Sequence, residues 1–432
     1  MAMVMAMDSA TGPARATGSK ARIVTASRIL LALGGGVAAL AVALSSAVIA
    51  NQVKNPGTAV ALGIGPSALA RGNLAFATYA ARQKTDRTTA ITAEERELAL
   101  QAFRREPLSS AALGMIIASM PEQDAQRRSA LLDVGARMTR RSSMITSASI
   151  EAAARTHNEP AFFQWLSRAI LTSPGLRTAY VTAMAQATAR PGAEQTLAPV
   201  IGQGPSWADT YWNAVVAVPD SLENAAKLRI LVAGAPWRQQ AVMDSDRVLA
   251  IRLVGNGHFD AARNLALALG GKEAAPARGG GDLLMNGNFN HAPTLPPIDW
   301  QLSSLGNLGA SIDATQKSLV ISAIGGARGY AARQLIHLEP GRYRLSWNLA
   351  ANGALPQNAL IARLQCLEDV SSPDNRSIPL TTGQNAADLS LASATCRWFW
   401  MGIGVDVPDG GAGFDAQFKR IILTSMASDG SD

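Results

Sequence analysis

The sequence predicts a multidomain chain of α and all-β parts: a single transmembrane helix, an α-solenoid-like helical domain and a C-terminal antiparallel β-sandwich. Three observations carry this expectation. Residues 29–50 form an uninterrupted run of 22 mostly apolar, uncharged residues. Ala-rich helical spacing then continues to about residue 270. Past a Gly/Ala/Pro-rich break the pattern changes to short alternating segments divided by Gly and Pro.

Composition agrees. The chain has 432 residues, 48% apolar and 16% charged, with only two cysteines. Such a chain is too apolar to be disordered throughout and too poor in cysteine to be a disulfide scaffold.

Arg28 and Lys54 bracket 25 uncharged residues. Lipid demands about 20 apolar residues to satisfy a helical backbone across the hydrocarbon. Gly34, Gly35 and Gly36 are acceptable there, since small residues are common in membrane helices. The rival reading is a cleaved signal peptide ending near Ala50, although such apolar regions usually run only about 7–15 residues. Residues 1–28 carry a net +3 and no periodicity. They are expected to be a disordered cytoplasmic tail, with the chain after about residue 51 exported by the positive-inside rule. A bacterial inner-membrane location with the bulk in the periplasm follows as the expectation.

Residues 51–270 read as helices of 10–16 residues separated by Pro and Gly. Thr92 and Glu95 look like an N-cap with acids in the first turn, and Pro107 closes that helix. In 124–141, Leu131, Val134 and Met138 fall at helical spacing with arginines around them. Segments 72–77 and 257–262 share a Gly, an apolar residue two places on and an Ala three places later. Short helices at tight breaks predict antiparallel pairs stacked as a solenoid; an irregular Ala-rich helical domain is the open alternative.

Residues 271–281 have linker composition. Charge changes across them: residues 29–281 carry net +7 and residues 282–432 carry net −3. Candidate strands follow near 308–313, 319–324, 330–338, 342–350, 360–367, 377–380, 388–391, 397–407 and 416–424, after an opening strand at 283–289. In 397–407, Phe399, Met401, Ile403, Val405 and Val407 alternate onto one apolar face, expected to be core. Trp398, Trp400, Gly402 and Gly404 then point the other way. The same alternation places Tyr343, Leu345 and Trp347 inside, Arg342 and Arg344 outside, and Trp300 in the core.

Asn286-Gly287-Asn288-Phe289, Trp300-Gln301-Leu302 and Leu338-Glu339-Pro340-Gly341-Arg342-Tyr343 together resemble the galactose-binding-like jelly rolls of carbohydrate-binding modules. The layout from residue 29 onward resembles exported, membrane-anchored tetratricopeptide-like proteins of Gram-negative bacteria, some similar to scaffold components of exopolysaccharide assembly. The resemblance implies a scaffold or sugar-binding role. It does not carry over the structural calcium of such modules, because Asn290 and the Lys419-Arg420 pair stand where acids would be needed. Asp406, Asp409 and Asp415 read as another possible site or as a solvated turn.

Trp398 and Trp400 are candidate glycan-stacking residues, the flanking glycines leaving room for a pyranose. A covering loop or helix is the competing reading. Arg127, Arg128, Arg137, Arg140 and Arg141 are candidate contacts for an acidic partner or a solvated helix face. Export argues against nucleic acid despite the net charge of +7. Cys366 and Cys396 are a candidate disulfide, closing a loop of about 30 residues. They lack the clustered histidines of a zinc site, and His157, His258, His291 and His337 stand far apart. No nucleophile elbow, P-loop, zinc-protease or dinucleotide motif occurs, so no catalytic residue, metal or cofactor is expected. The expectation is a non-catalytic, membrane-anchored scaffold or glycan-binding subunit with protein partners in an envelope complex. An envelope glycan-modifying enzyme with dispersed acids and a purely structural component are the alternatives.

Overall fold

The computed structural model describes residues 18–63, 67–86, 89–139, 141–270, 281–353, 355–392 and 395–426. Most of the expected cytoplasmic tail and nearly all of the linker lie outside them. The chain divides into two compact units, Met1–Ala152 and Ala153–Asp432. Helices beyond Ala153 thus share a unit with the β-sandwich.

The first unit holds α1 (Gly18–Asn51), α2 (Pro56–Ala61), α3 (Ala68–Thr85), α4 (Ala93–Arg105), α5 (Ser110–Ala118) and α6 (Ala125–Met138), with α7 (Ser143–Arg155) ending it. Within α1, Gly34–Asn51 is long and apolar enough to cross a membrane. Its Val37, Leu40, Val42 and Ile49 are exposed. The α4 cap forms as expected: the Glu95 N–H donates to Thr92 Oγ1 and the Thr92 N–H to Glu95 Oε2. These two bonds satisfy backbone donors that a helix start leaves unpaired.

Small residues let the helices approach. Ala75, Ala99, Ala102, Ala112 and Met115 form one core, and Leu113, Ile117, Leu132 and Ile145 another. In α6 the buried positions are Leu132 and Gly135, whereas Val134 is 37% exposed. The expected stripe is thus rotated, because Gly135 seats against Ile145. Gly72 and Gly257 are not equivalent turn residues either. Gly72 is buried within α3, and Gly257 sits at φ +80° ahead of a later helix.

The second unit begins with α8 (Glu159–Thr172), α9 (Arg177–Ala187), α10 (Ala193–Ile201), α11 (Ala208–Val215), α12 (Leu222–Ala233), α13 (Asp244–Gly255) and α14 (Phe259–Leu269). Helices meet the next or the next but one, as in a solenoid. Arg229 is fully buried in α12 and binds Asp246 of α13 with both carboxylate oxygens, Nε to Oδ1 at 2.8 Å and Nη2 to Oδ2 at 3.1 Å. The same guanidinium donates to the Gln239 and Ala241 carbonyls. A buried charge persists only when paired and hydrogen-bonded in this way.

The sandwich contains β1 (Gln301–Leu302), β2 (Ser304–Leu305), β3 (Leu308–Asp313), β4 (Ser318–Ala323), β5 (Arg328–His337), β6 (Gly341–Ala351), β7 (Leu360–Cys366), β8 (Arg376–Pro379), β9 (Gly383–Leu391), β10 (Trp398–Asp406) and β11 (Phe414–Ser425). All pairings are antiparallel, in the orders β1-β5-β10-β7-β8 and β2-β3-β4-β11-β6-β9. The two sheets enclose one core built from Phe289, Trp300, Trp347, Phe399, Met401, Ile403, Phe418 and Ile421, among others. In β11 a register shift between Phe418 and Arg420 turns Lys419 and Arg420 outward together, so Ile421 returns to the core.

The opening segment 283–289 is not a strand. It runs beside β11, with the Leu283 N–H donating to Leu423 O and the Ile421 N–H to Gly287 O. Asn286 and Phe289 take φ near +54° and +53°. The Asn286 carbonyl accepts from Trp300 Nε1 at 3.2 Å. The Asn-Gly-Asn-Phe motif therefore acts as a structural joint that locks Trp300.

Candidate functional site

The outer face of the β1-β5-β10-β7-β8 sheet brings the sequence's most informative side chains together. On β10 the inward residues Phe399, Met401, Ile403 and Val405 are buried as expected. Their neighbours Trp400, Gly402 and Gly404 face outward. Pairing places Arg333 of β5 and Arg363 of β7 on either side of Gly402. Gln301 and Ser377 extend this row to both sheet edges. Gln365 lies opposite Trp400, and Tyr330 lies opposite Gly404.

Tyr330 and Arg333 share a face although they are three residues apart. The register shift at Ile403/Gly404 leaves Ala331 unpaired, and both Ala331 and Ala332 turn into the core. Strict alternation would have sent one of the two outward-facing side chains inside.

The glycines do not leave an empty trough. A Cβ on Gly402 would lie 2.5 Å from the Tyr330 ring, and one on Gly404 would lie 2.9 Å from Arg363 Nε. Each glycine gives its space to a side chain from a neighbouring strand. The Arg333 guanidinium stacks 4.2 Å from the Trp400 ring centre. Its Nε donates to Gln301 Oε1 at 2.9 Å, and the Tyr330 hydroxyl donates to Gln365 Oε1 at 3.1 Å. Burial pushes the Tyr330 phenol up, opposed by the charges of Arg363 and Arg333. Burial lowers the Arg333 guanidinium, opposed by Tyr330. Both remain in their ordinary forms near neutrality: a phenol and a cation.

Trp398 does not join this platform. It is 5% exposed, with the Phe259 ring of α14 at 5.7 Å and the His337 ring at 4.9 Å. Leu335 and Leu267 line the same seam. Trp398 therefore follows the covering reading and is not available for glycan stacking: α14 packs on it, whereas Trp400 is half-buried.

The candidate arginines in and after α6 differ in environment. Arg128 is half-buried and donates to the Met120 carbonyl at 2.7 Å. Arg127, Arg137 and Arg141 are exposed, and Arg140 lies outside the described residues. Cys366 and Cys396 form the expected disulfide. Glu368 lies near both sulfurs but accepts the Arg397 and Trp398 N–H groups. With the thiols joined to each other, that trio offers no thiolate to a metal. Asp406 pairs with Arg328 at 3.3 Å, and Asp409 lies against Gly326.

Tyr330, Arg333, Arg363, Gln365 and Gln301 were not singled out in the sequence. The available signal was the unusual density of polar and aromatic residues opposite Trp400, readable only once strand pairing is known.

No protein-family model matches the chain, and no curated protein sequence does. Solved structures show limited likeness. One described as "CBM4 structure and function" is 12% identical, covering 33% of this chain and 98% of that one, with a TM-score of 0.25. TmCBM61 in complex with beta-1,4-galactotriose is 14% identical over 34% of this chain and 99% of that one, with a TM-score of 0.22. The N-terminal cellulose-binding domain of Cellulomonas fimi β-1,4-glucanase C is 12% identical over 36% and 99%, with a TM-score of 0.22. At such scores these likenesses say nothing of what this chain binds.

Proposed function

We propose that this protein is a non-catalytic, membrane-anchored glycan-binding subunit that serves as a scaffold in envelope polysaccharide assembly or export. The observation that carries the reading is the half-buried platform of Trp400, Tyr330, Arg333, Arg363, Gln301 and Gln365 on one sheet face. Aromatic rings offer apolar contact to the C–H faces of sugars, while amides and guanidinium groups offer hydrogen bonds to hydroxyls. The apolar α1 segment supports anchoring, the disulfide supports an oxidising compartment, and the neighbour-to-neighbour helices supply surface for protein partners.

Affinity electrophoresis of the detergent-purified full-length chain through polysaccharide gels tests the reading. Retardation that is weakened by Trp400→Ala supports it. Unchanged mobility in every gel, or turnover of a polysaccharide by the purified chain, contradicts it.

A further inference from the structure

We infer that the glycan taken by the Trp400 platform is anionic, a polysaccharide bearing uronate-type carboxylates; this rests on the glycan-binding reading above.

The platform is arranged around charge. Arg333, Gly402 and Arg363 stand in one row across β5, β10 and β7. Their backbones are two strand spacings apart, about 10 Å. The Tyr330 ring fills the space over the glycine between them, 5.8 Å from the Arg333 guanidinium and 6.0 Å from that of Arg363. Among the described residues neither guanidinium has a carboxylate partner. Arg333 contacts Gln301, Tyr330 and Trp400, and Arg363 contacts the Tyr330 ring at 6.0 Å. Four other arginines of the sandwich do have a carboxylate partner. Arg344 binds Asp388, Arg328 binds Asp406, and Arg397 and Arg376 lie near Glu339 and Asp374. The domain as a whole is acidic, with net −3 over residues 282–432. Two cations left without acids on one face of an acidic domain are a local inversion of charge.

The stacking geometry favours the same ligand. Arg333 occupies a face of the Trp400 ring that a neutral pyranose would otherwise stack on. A guanidinium held over an indole, with Nε tied to Gln301, still presents its Nη N–H groups. That edge matches the two oxygens of a carboxylate, and little side-chain freedom is left to lose on binding. Arg363 lies over Gly404 and makes no hydrogen bond or ion pair among the described residues, so its donors are available to a second carboxylate along the chain.

The test measures retention of the full-length chain on polygalacturonate and alginate, on their esterified counterparts, and on neutral β-glucan and galactan. The acidic polymers should bind at least about tenfold more tightly than their esterified forms, with affinity falling as salt rises. Arg333→Gln and Arg363→Gln should each lose about tenfold or more on acidic polymers. Arg363→Lys, which keeps the charge without the fork, should retain part of the affinity and controls for folding. Equal binding to esterified or neutral polymers overturns the anionic assignment while the glycan reading stands. Binding to none of the polymers overturns the reading itself.

Discussion

The Arg333 guanidinium lies over the Trp400 ring, 4.2 Å from its centre, and its Nε donates to Gln301. One side chain thereby sets both the charge and the shape of the exposed sheet face. Trp400→Ala removes the ring and the support for Arg333. Glycan retention is expected to fall about tenfold or more, with a stability change under about 1.5 kcal/mol for this half-buried residue. Denaturant titration beside affinity gels separates the two effects.

Trp398→Ala should give the opposite pattern. Its ring is buried against Phe259 and His337. Truncation is expected to cost about 3–5 kcal/mol by cavity formation. Phe259→Ala should weaken the same seam from the α14 side. A Trp398→Ala variant as stable as the parent would contradict the buried packing.

Gly402→Ala and Gly404→Ala should differ. A methyl at Gly402 meets the Tyr330 ring, itself tied to Gln365, whereas one at Gly404 meets the flexible Arg363 side chain. Gly402→Ala is expected to destabilise by about 1–3 kcal/mol. Gly404→Ala should leave stability nearly unchanged and alter binding alone. Equal effects of the two on melting would refute this division.

Asp282 carries a pH dependence. Burial raises its carboxyl to about 6, opposed by the Leu284 and Leu423 N–H groups and by Arg420. A carboxyl raised on folding holds its proton more tightly in the native state. Its stabilising contribution is thus present below about pH 4 and lost as pH rises through about 6. The loss is about 2 kcal/mol once solvent screening at this half-buried site is allowed for. Asp282→Asn keeps an acceptor for both N–H groups. It should flatten that part of the profile and stabilise the protein at pH 7. Calorimetric melting from pH 4 to 7 on both chains checks it.

The buried pair is the helical counterpart. Arg229→Ala or Asp246→Ala leaves one charge uncompensated between α12 and α13 and is expected to cost about 3–5 kcal/mol. Replacing both by apolar residues of similar volume should recover much of it, measurable by urea unfolding.

Much of this architecture was legible because local rules and tertiary structure agreed. The alternation from Phe399 to Val407 needs only the pleat of a strand, and the Thr92–Glu95 cap needs only one helix turn. The cysteine pair was legible from its count. Trp398 was not, because the ring that covers it comes from Phe259, far upstream, and no periodicity encodes that meeting. Tyr330 and Arg333 were hidden by the unpaired Ala331, which breaks the two-residue period where the platform is built. Val134 misled because apolar spacing alone could not show that Gly135 is the residue that meets Ile145.

The most direct test is the mobility of the full-length chain in gels containing acidic polysaccharide, compared with Trp400→Ala and Arg333→Gln. The parent should be retarded and both variants should run nearly free while melting as cooperatively as the parent. Equal retardation of all three, or of none, would contradict an acidic-glycan platform at Trp400.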